Sequence, residues 1–351
     1  MIHSHRLFYG HISQRLPIPL EDAMSVTESV TTQAQHKNWK FVTHNRPDTD
    51  ALACMWGAVS FIVKDGDDYV LTTTRAGERL PPEEEEGFDV LYMDTGGGDL
   101  DQHGMELARA SSFQLLAQKY GFDKEPGIIP ILELTLAADN IEEMPWTSAH
   151  YVLKGLQHHF WKKDEGTDWA RVFDTASIIL DVLYGQALGR YEAKKAFDKA
   201  LHEDNVQITN LPNGLKVIDV GFRPRLRGEA FERGADVVVW MAPKGPGVFY
   251  PGIQVHRHSD IKLGKVVSEI RRAEAEKRKV SSRGMDLFSF SPIPELGGWF
   301  YHDSGKLVAC GTQTHELTEE ERTTLSRGKI VSVVKTALTS IAPNMALVNK
   351  K

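Results

Sequence analysis

Apolar residues recur along this chain in two rhythms. "WKFVT" (39–43), "YVLTTT" (69–74) and "FDVLYMDTGGG" (88–98) are short runs that break off at polar residues, and each predicts a strand. "DALACMWGAVSFIV" (50–63), after the first run, predicts a helix of mostly apolar residues. A strand, a polar loop and a helix in that order begin a parallel α/β unit. "SSFQLLAQKYG" and "GIIPILELTLAADN" predict two further helices, the first capped by Ser111 or Ser112. "PPEEEEG" between the second and third of these strands is expected to be a solvated acidic turn.

From about Trp146 to Asn205 the apolar spacing is helical. The rhythm then changes to short strands, "VQITNL", "LKVIDVG", "ADVVVWMA" and "GVFYPGIQVHRH", separated by Asn-Gly and Pro-Gly turns. A basic helix follows, "KLGKVVSEIRRAEAEKRK", expected to present a solvated face. A strand pair is expected around "GWFYHDSGKLVACGT", then a last helix starting at "LTEEER", with Thr318 as N-cap and Glu321 closing a capping box. The expected fold class is α/β: a parallel-sheet domain over 36–205, then a smaller α+β domain over 206–351, with 1–35 as a loosely ordered N-terminal extension.

A length of 351 residues fits two such domains, each with its own core. The net charge of −7 argues against nucleic-acid binding through the whole surface, while leaving room for a local basic groove. Two cysteines, Cys54 and Cys310, without CxxC spacing, fit a reducing, cytoplasmic setting. No apolar run approaches the ~20 residues of a membrane helix, and no secretory signal pattern is seen at the N-terminus.

The chemistry gathers where the first-domain elements end. "THNRPDTDALAC" puts His44, Asp48 and Asp50 after the first strand; Asp94 follows the third; Asp101, Gln102 and His103 lie in the next loop; Asp139 ends a helix. The carboxyl ends of parallel strands converge on one crevice, the usual ligand site of an open α/β sheet. Asp48 and Asp50, two apart, can serve neighbouring positions about 3.5–4 Å apart, as a two-metal hydrolase requires, with Asp94 as a bridge. Each aspartate alone reads better as a turn or cap residue. Together they place like charges close enough to repel unless a cation joins them. Carboxylates with imidazole suit Mn²⁺, Mg²⁺ or a related divalent ion, and thiolates for a structural zinc are lacking nearby.

These motifs resemble those of the DHH phosphoesterase superfamily: "THNRPDTDALAC" its first, "LYMDTGG" its second, "DQHG" its third and "LAADN" its fourth. Within it the chain is most similar to the melanocyte-proliferating-gene (Myg-type) exonuclease branch, whose closing pattern is matched by His302, Ser304 and Gly305 in "YHDSGKLVACG". The resemblance covers roughly residues 40 to 340. It implies His44, Asp48, Asp50, Asp94 and Asp139 as ligands of two divalent ions, most often Mn²⁺, with Asp101 and His103 catalytic. Gln102 stands where the family has a ligand histidine, so the second ion is expected to be weakly held. The first motif also has the general superfamily form rather than that of the Myg-type branch.

The second domain is expected to supply substrate contacts. Arg223, Arg225 and Arg227 alternate in "GFRPRLRGE", which on an extended strand would put three guanidinium groups on one face to grip phosphate; a solvated edge strand is the equal alternative. Arg257 in "VHRHSD" is similar, and His158-His159 is expected at the surface. By resemblance, the Gly297-Gly298 turn with His302 and Ser304 closes over the substrate end, although a plain hairpin accounts for it too. The function expected is a divalent-metal-dependent phosphoesterase, a 3′–5′ exonuclease or a nucleotide or oligonucleotide phosphodiesterase, with a phosphorylated substrate as partner, either a single-stranded oligonucleotide or a small nucleotide, and no membrane. The alternative is a degenerate DHH-type protein that binds a nucleotide or a partner without turnover.

Overall fold

Strand β2 (Asn38–His44) is buried along almost its whole length because it has a parallel neighbour on each side and covered faces, which is why its apolar run does not alternate. This is seen in a computed structural model of the chain that describes residues 8–9, 36–103, 110–163, 165–203, 205–311 and 316–341. Much of the stretch expected as an N-terminal extension lies outside them. The chain forms two compact units, 1–189 and 190–351.

In the first unit, β1 (Phe8–Tyr9) pairs antiparallel with β3 (Asp68–Thr74), and β3 and β4 (Asp89–Tyr92) flank β2 in parallel, giving the order β1-β3-β2-β4. The parallel order reverses at β2, which opens a crevice at its carboxyl end. Helix α1 (Thr49–Phe61) is buried over Thr49–Ala58 and packs on α3 (Ser112–Tyr120) and α4 (Ile129–Asp139). Gly57 permits the close crossing, since a Cβ there would meet the Phe113 ring at 2.7 Å. Phe41, Leu52, Trp56, Phe113, Leu116 and Ile131 centre the core, and the Trp56 indole donates to Asp181 at 2.7 Å. The acidic run "PPEEEEG" is not a plain turn: Pro82–Glu85 form a helical turn, α2, with proline at its start and three glutamates where the exposed N–H groups favour negative charge. Helix α5 (Ala149–His159), a short hairpin of β5 (Trp161–Lys162) with β6 (Gly166–Thr167), and the long α6 (Trp169–His202) fill the expected helical region. His158 and His159 are exposed at the end of α5.

The second unit holds a six-stranded sheet of β7 (Gln207–Asn210), β8 (Lys216–Asp219), β9 (Val237–Gly245), β10 (Val248–Val255), β11 (Trp299–Tyr301) and β12 (Leu307–Cys310), in the order β11-β12-β10-β9-β8-β7. Within this sheet, among the described residues, only β8 and β9 pair in parallel. Strand period divides β9 between two cores. Val237, Val239 and Met241 meet α8 (Gly264–Arg278) and α9 (Arg327–Thr339), while Val238 and Trp240 meet α7 (Arg227–Glu232) and the end of α6.

Three sequence expectations are corrected here. Residues 223–227 are not extended: Pro224 starts a 3₁₀ turn over Pro224–Leu226 that runs into α7, so the three arginines do not line one strand face. The Thr318–Glu321 capping box forms both reciprocal hydrogen bonds, at 2.9 and 3.4 Å, yet closes only a turn. The chain then diverts Thr323 and Thr324 to buried Glu274, and the helix begins at Arg327 behind a Ser326 cap. The basic helix α8 is not solvated all along its charged run, because Arg271 and Glu274 are fully buried. No helix among the described residues is long and apolar enough to cross a membrane.

Candidate metal centre

Each motif reaches the crevice by a local device. His44 is the last residue of β2. Asp48 is the N-cap of α1, its Oδ1 accepting the N–H groups of Asp50 and Ala51 at 2.9 and 3.1 Å. Asp94 follows β4 with φ of 56°, a left-handed conformation uncommon outside glycine, and its carboxylate is buried. Asp101 shapes the following loop by accepting Gly97 N–H at 2.8 Å and His103 N–H at 3.1 Å. Asp139 is the last residue of α4.

The fold brings these groups together around Asp94. His44 Nε2 lies 3.1 Å from Asp94 Oδ2, and His103 Nε2 lies 3.4 Å from Asp94 Oδ1. Donor atoms of His44, Asp48 and Asp94 all fall within 4.8 Å of one another, as do those of Asp94, Asp101 and His103. One imidazole nitrogen and two carboxylate oxygens at that spacing suit a hard divalent ion such as Mn²⁺ or Mg²⁺. Gln102 donates its side-chain N–H groups to Asp94 Oδ1 at 3.2 Å and to Asp139 Oδ2 at 3.1 Å. Asp50 accepts the Ser112 and Phe113 N–H groups at 2.7 and 3.1 Å, capping α3 from outside.

The acids strain against one another. Burial, then the charges of Asp139 and Asp94, hold the Asp50 carboxyl well above its ordinary range against the opposing Phe113 N–H. Burial and the charges of Asp48 and Asp94 push Asp139 up to about 7, while a hydrogen bond with Asp50 works the other way. Asp48 is raised by burial and by Asp94, against its backbone donors. Burial works to lower His44, but the Asp94 hydrogen bond and the negative charges around it prevail and raise it. Burial is the largest cause for the three aspartates, and the neighbouring acids add to it, a repulsion that a bound cation would relieve.

Sequence reasoning missed several contributors. The Ser112 hydroxyl bonds the Gln102 side-chain oxygen, and Ser111, the true N-cap of α3, pairs with Thr135 at 3.0 Å. His150 at the start of α5 meets Thr49 at 2.8 Å, and burial and the Lys154 charge lower it against the Asp48 charge. Its only sequence signal is an imidazole one residue into a helix, too weak to single out. Both thiols are buried and free, and burial raises Cys54 well above its ordinary range and Cys310 to about 12, so neither is a nucleophile.

The expected substrate residues lie in the second unit. Arg223 pairs with Glu203 at 3.3 Å, Arg227 lies over the Trp240 ring at 4.6 Å, and Arg225 is exposed. Arg257 donates to His258 at 3.0 Å. His302 and Ser304 bond each other at 2.9 Å in the β11–β12 loop. Gly297 and Gly298 are buried, and a Cβ on either would meet the chain's own Arg278, Leu317 or Glu321 carbonyl.

No family model and no curated protein matches the chain. Among solved structures it is similar to a DHH-domain protein described as a member of the S1p family of ribosomal proteins, at 10% identity and a TM-score of 0.30, over 87% of each chain. It is also similar to RecJ from Thermus thermophilus, solved in complex with Mn²⁺, at 11% identity and a TM-score of 0.26, over 87% of this chain and 53% of that one. Superpositions this loose assign no role to any residue of the centre.

Proposed function

We propose that the chain is a divalent-metal-dependent phosphoesterase of the DHH type, acting on a phosphodiester of a nucleotide or a single-stranded oligonucleotide from its 3′ end. The observation that carries this reading is the convergence of His44, Asp48 and Asp94 at the crevice end of the sheet, with Asp101 and His103 sharing Asp94 from the other side. A bound ion, Mn²⁺ before Mg²⁺, would supply Lewis acidity and lower the pKa of a water. Around it the chain's own groups divide the work. His44 and Asp48 fix the donor set at the end of β2 and the start of α1. Asp101 holds the His103 backbone, and the largely exposed His103 imidazole is free to swing to a phosphate oxygen from its place beside Asp94. Arg225, Arg257, His302 and Ser304 are the proposed substrate contacts of the second unit.

A second reading, binding without turnover, is favoured by one feature, the Gln102 side chain between Asp94 and Asp139. Chelator-stripped chain incubated with bis-p-nitrophenyl phosphate and then given Mn²⁺ separates the two. Mn²⁺-dependent release of nitrophenol is expected. Nucleotide binding with no release under any divalent ion would favour the second reading.

A further inference from the structure

The resemblance implies a second ion between Asp50, Asp94 and Asp139, and the residues present do not fit one. The Gln102 side-chain nitrogen already sits between the two facing acids, 3.2 Å from Asp94 Oδ1 and 3.1 Å from Asp139 Oδ2. The NH₂ group faces the two carboxylates, and the amide oxygen takes the Ser112 hydroxyl on its other side. An ion shared by those two carboxylates would have to displace the NH₂ group, because its oxygen ligands must close to about 2.0–2.2 Å.

Asp50 is withdrawn differently. Both its oxygens accept backbone N–H groups at the start of α3 and are committed to that helix end. Accordingly, Asp50, Asp94 and Asp139 do not form one of the groups whose donor atoms come within 4.8 Å of one another among the described residues. The two groups that do both use Asp94, and in the second, Asp101 has each oxygen bonded to its own loop.

We propose that the Gln102 amide takes the place of a second metal ion, cross-linking Asp94 to Asp139, so that the centre holds one ion, at His44, Asp48 and Asp94. This rests on the metal-dependent reading above. It makes Gln102 a positioning residue: one amide N–H holds Asp94 Oδ1, the other Asp139 Oδ2, and Asp94 Oδ2 is left turned towards His44.

The test is a count of ions and their spectrum on the full chain. Chelator-treated protein is dialysed against Mn²⁺, analysed for metal per chain and examined by electron paramagnetic resonance. One Mn²⁺ per chain with the six-line signal of an isolated ion is expected. Gln102→His should raise the count to two and replace that signal by the broad pattern of an exchange-coupled pair. Asp139→Asn, which keeps an acceptor for the amide, should leave the wild-type count at one, and it decides the matter if the histidine variant does not fold. Two coupled ions in the wild type, falling to one in Asp139→Asn, overturn the proposal and leave the phosphoesterase reading standing. No ion on the wild type overturns both.

Discussion

Both units bury carboxylates, and they treat them in opposite ways. Glu274 in α8 is fully buried and surrounded by donors: the Trp299 indole at 2.9 Å, the Thr324 hydroxyl at 2.7 Å, its N–H at 3.2 Å, Arg278 Nε at 3.2 Å and the Thr323 hydroxyl. Arg271, one turn away and equally buried, donates to four carbonyls, of Leu287, Ser289, Ser291 and Trp299, at 2.8–3.0 Å. These charges tie the segment after α8 to the sheet, with the Arg271 Nε alone of their polar atoms buried without a hydrogen-bond partner. In the first unit, Asp50 and Asp94 are buried beside Asp48 and Asp139, and the nearest neighbours of each acid include other acids. A buried charge with a complete donor shell is architecture. Like charges gathered this closely are the arrangement that the proposed cation would relieve.

The contrast predicts effects of opposite sign. Glu274→Ala leaves five donors without their acceptor, the buried Trp299 indole among them, and should cost about 3–5 kcal/mol by denaturant unfolding. Asp94→Asn keeps the left-handed backbone tolerable and relieves repulsion, so the metal-free protein should gain about 0.5–2 kcal/mol while losing its ion. A destabilised Asp94→Asn apoprotein would break the comparison.

Mn²⁺ at a hundred times its Kd should stabilise the wild type by about 2.7 kcal/mol, and Asp94→Asn not at all. The metal-free protein should also depend on pH in a defined direction. Asp139 ionises at about 7 in the folded chain and at its ordinary 3.8 when unfolded, so the folded state binds the proton more tightly. Stability should therefore fall as pH rises from about 4 to about 7, with Asp50 acting in the same direction, and Mn²⁺ should flatten the loss. Thermal melts of chelated and Mn²⁺-loaded protein across that window check the sign.

Smaller effects sharpen the same contrast. Ser111→Ala removes the side-chain cap of α3, an acceptor for Gln114 N–H at 3.2 Å, and should cost about 1 kcal/mol in chemical denaturation. Arg227→Ala removes an exposed guanidinium from the Trp240 face and should cost about 0.5–1 kcal/mol, without changing Mn²⁺ affinity.

Most of the first unit was legible in the chain because its signals are local. Apolar runs ending in His44 and just before Asp94, and a helix ending at Asp139, are features of consecutive residues, and strand ends converge by topology. What escaped depends on partners distant in sequence. Glu274 and Arg271 look like the solvated face of a basic helix until their donors and acceptors arrive from residues 287–324. "LTEEER" carries a correct capping signal, and the pull of Glu274 on the next two threonines turns it into a turn. The alternating arginines suggest a strand by period alone, and Pro224 decides otherwise. Gln102 was visible as a departure from a motif, whereas its bond to Asp139, 37 residues away, was not.

The central claim is that the crevice of the first unit works through an ion held by His44, Asp48 and Asp94. The direct measurement is Mn²⁺ titration calorimetry of the chelator-stripped full chain and of Asp94→Asn, with bis-p-nitrophenyl phosphate turnover followed in the same samples. Saturable binding in the wild type, turnover that rises with the same midpoint, and loss of both in Asp94→Asn are the results predicted. Equal Mn²⁺ binding by the two proteins, or turnover that survives both chelation and the substitution, would contradict the account.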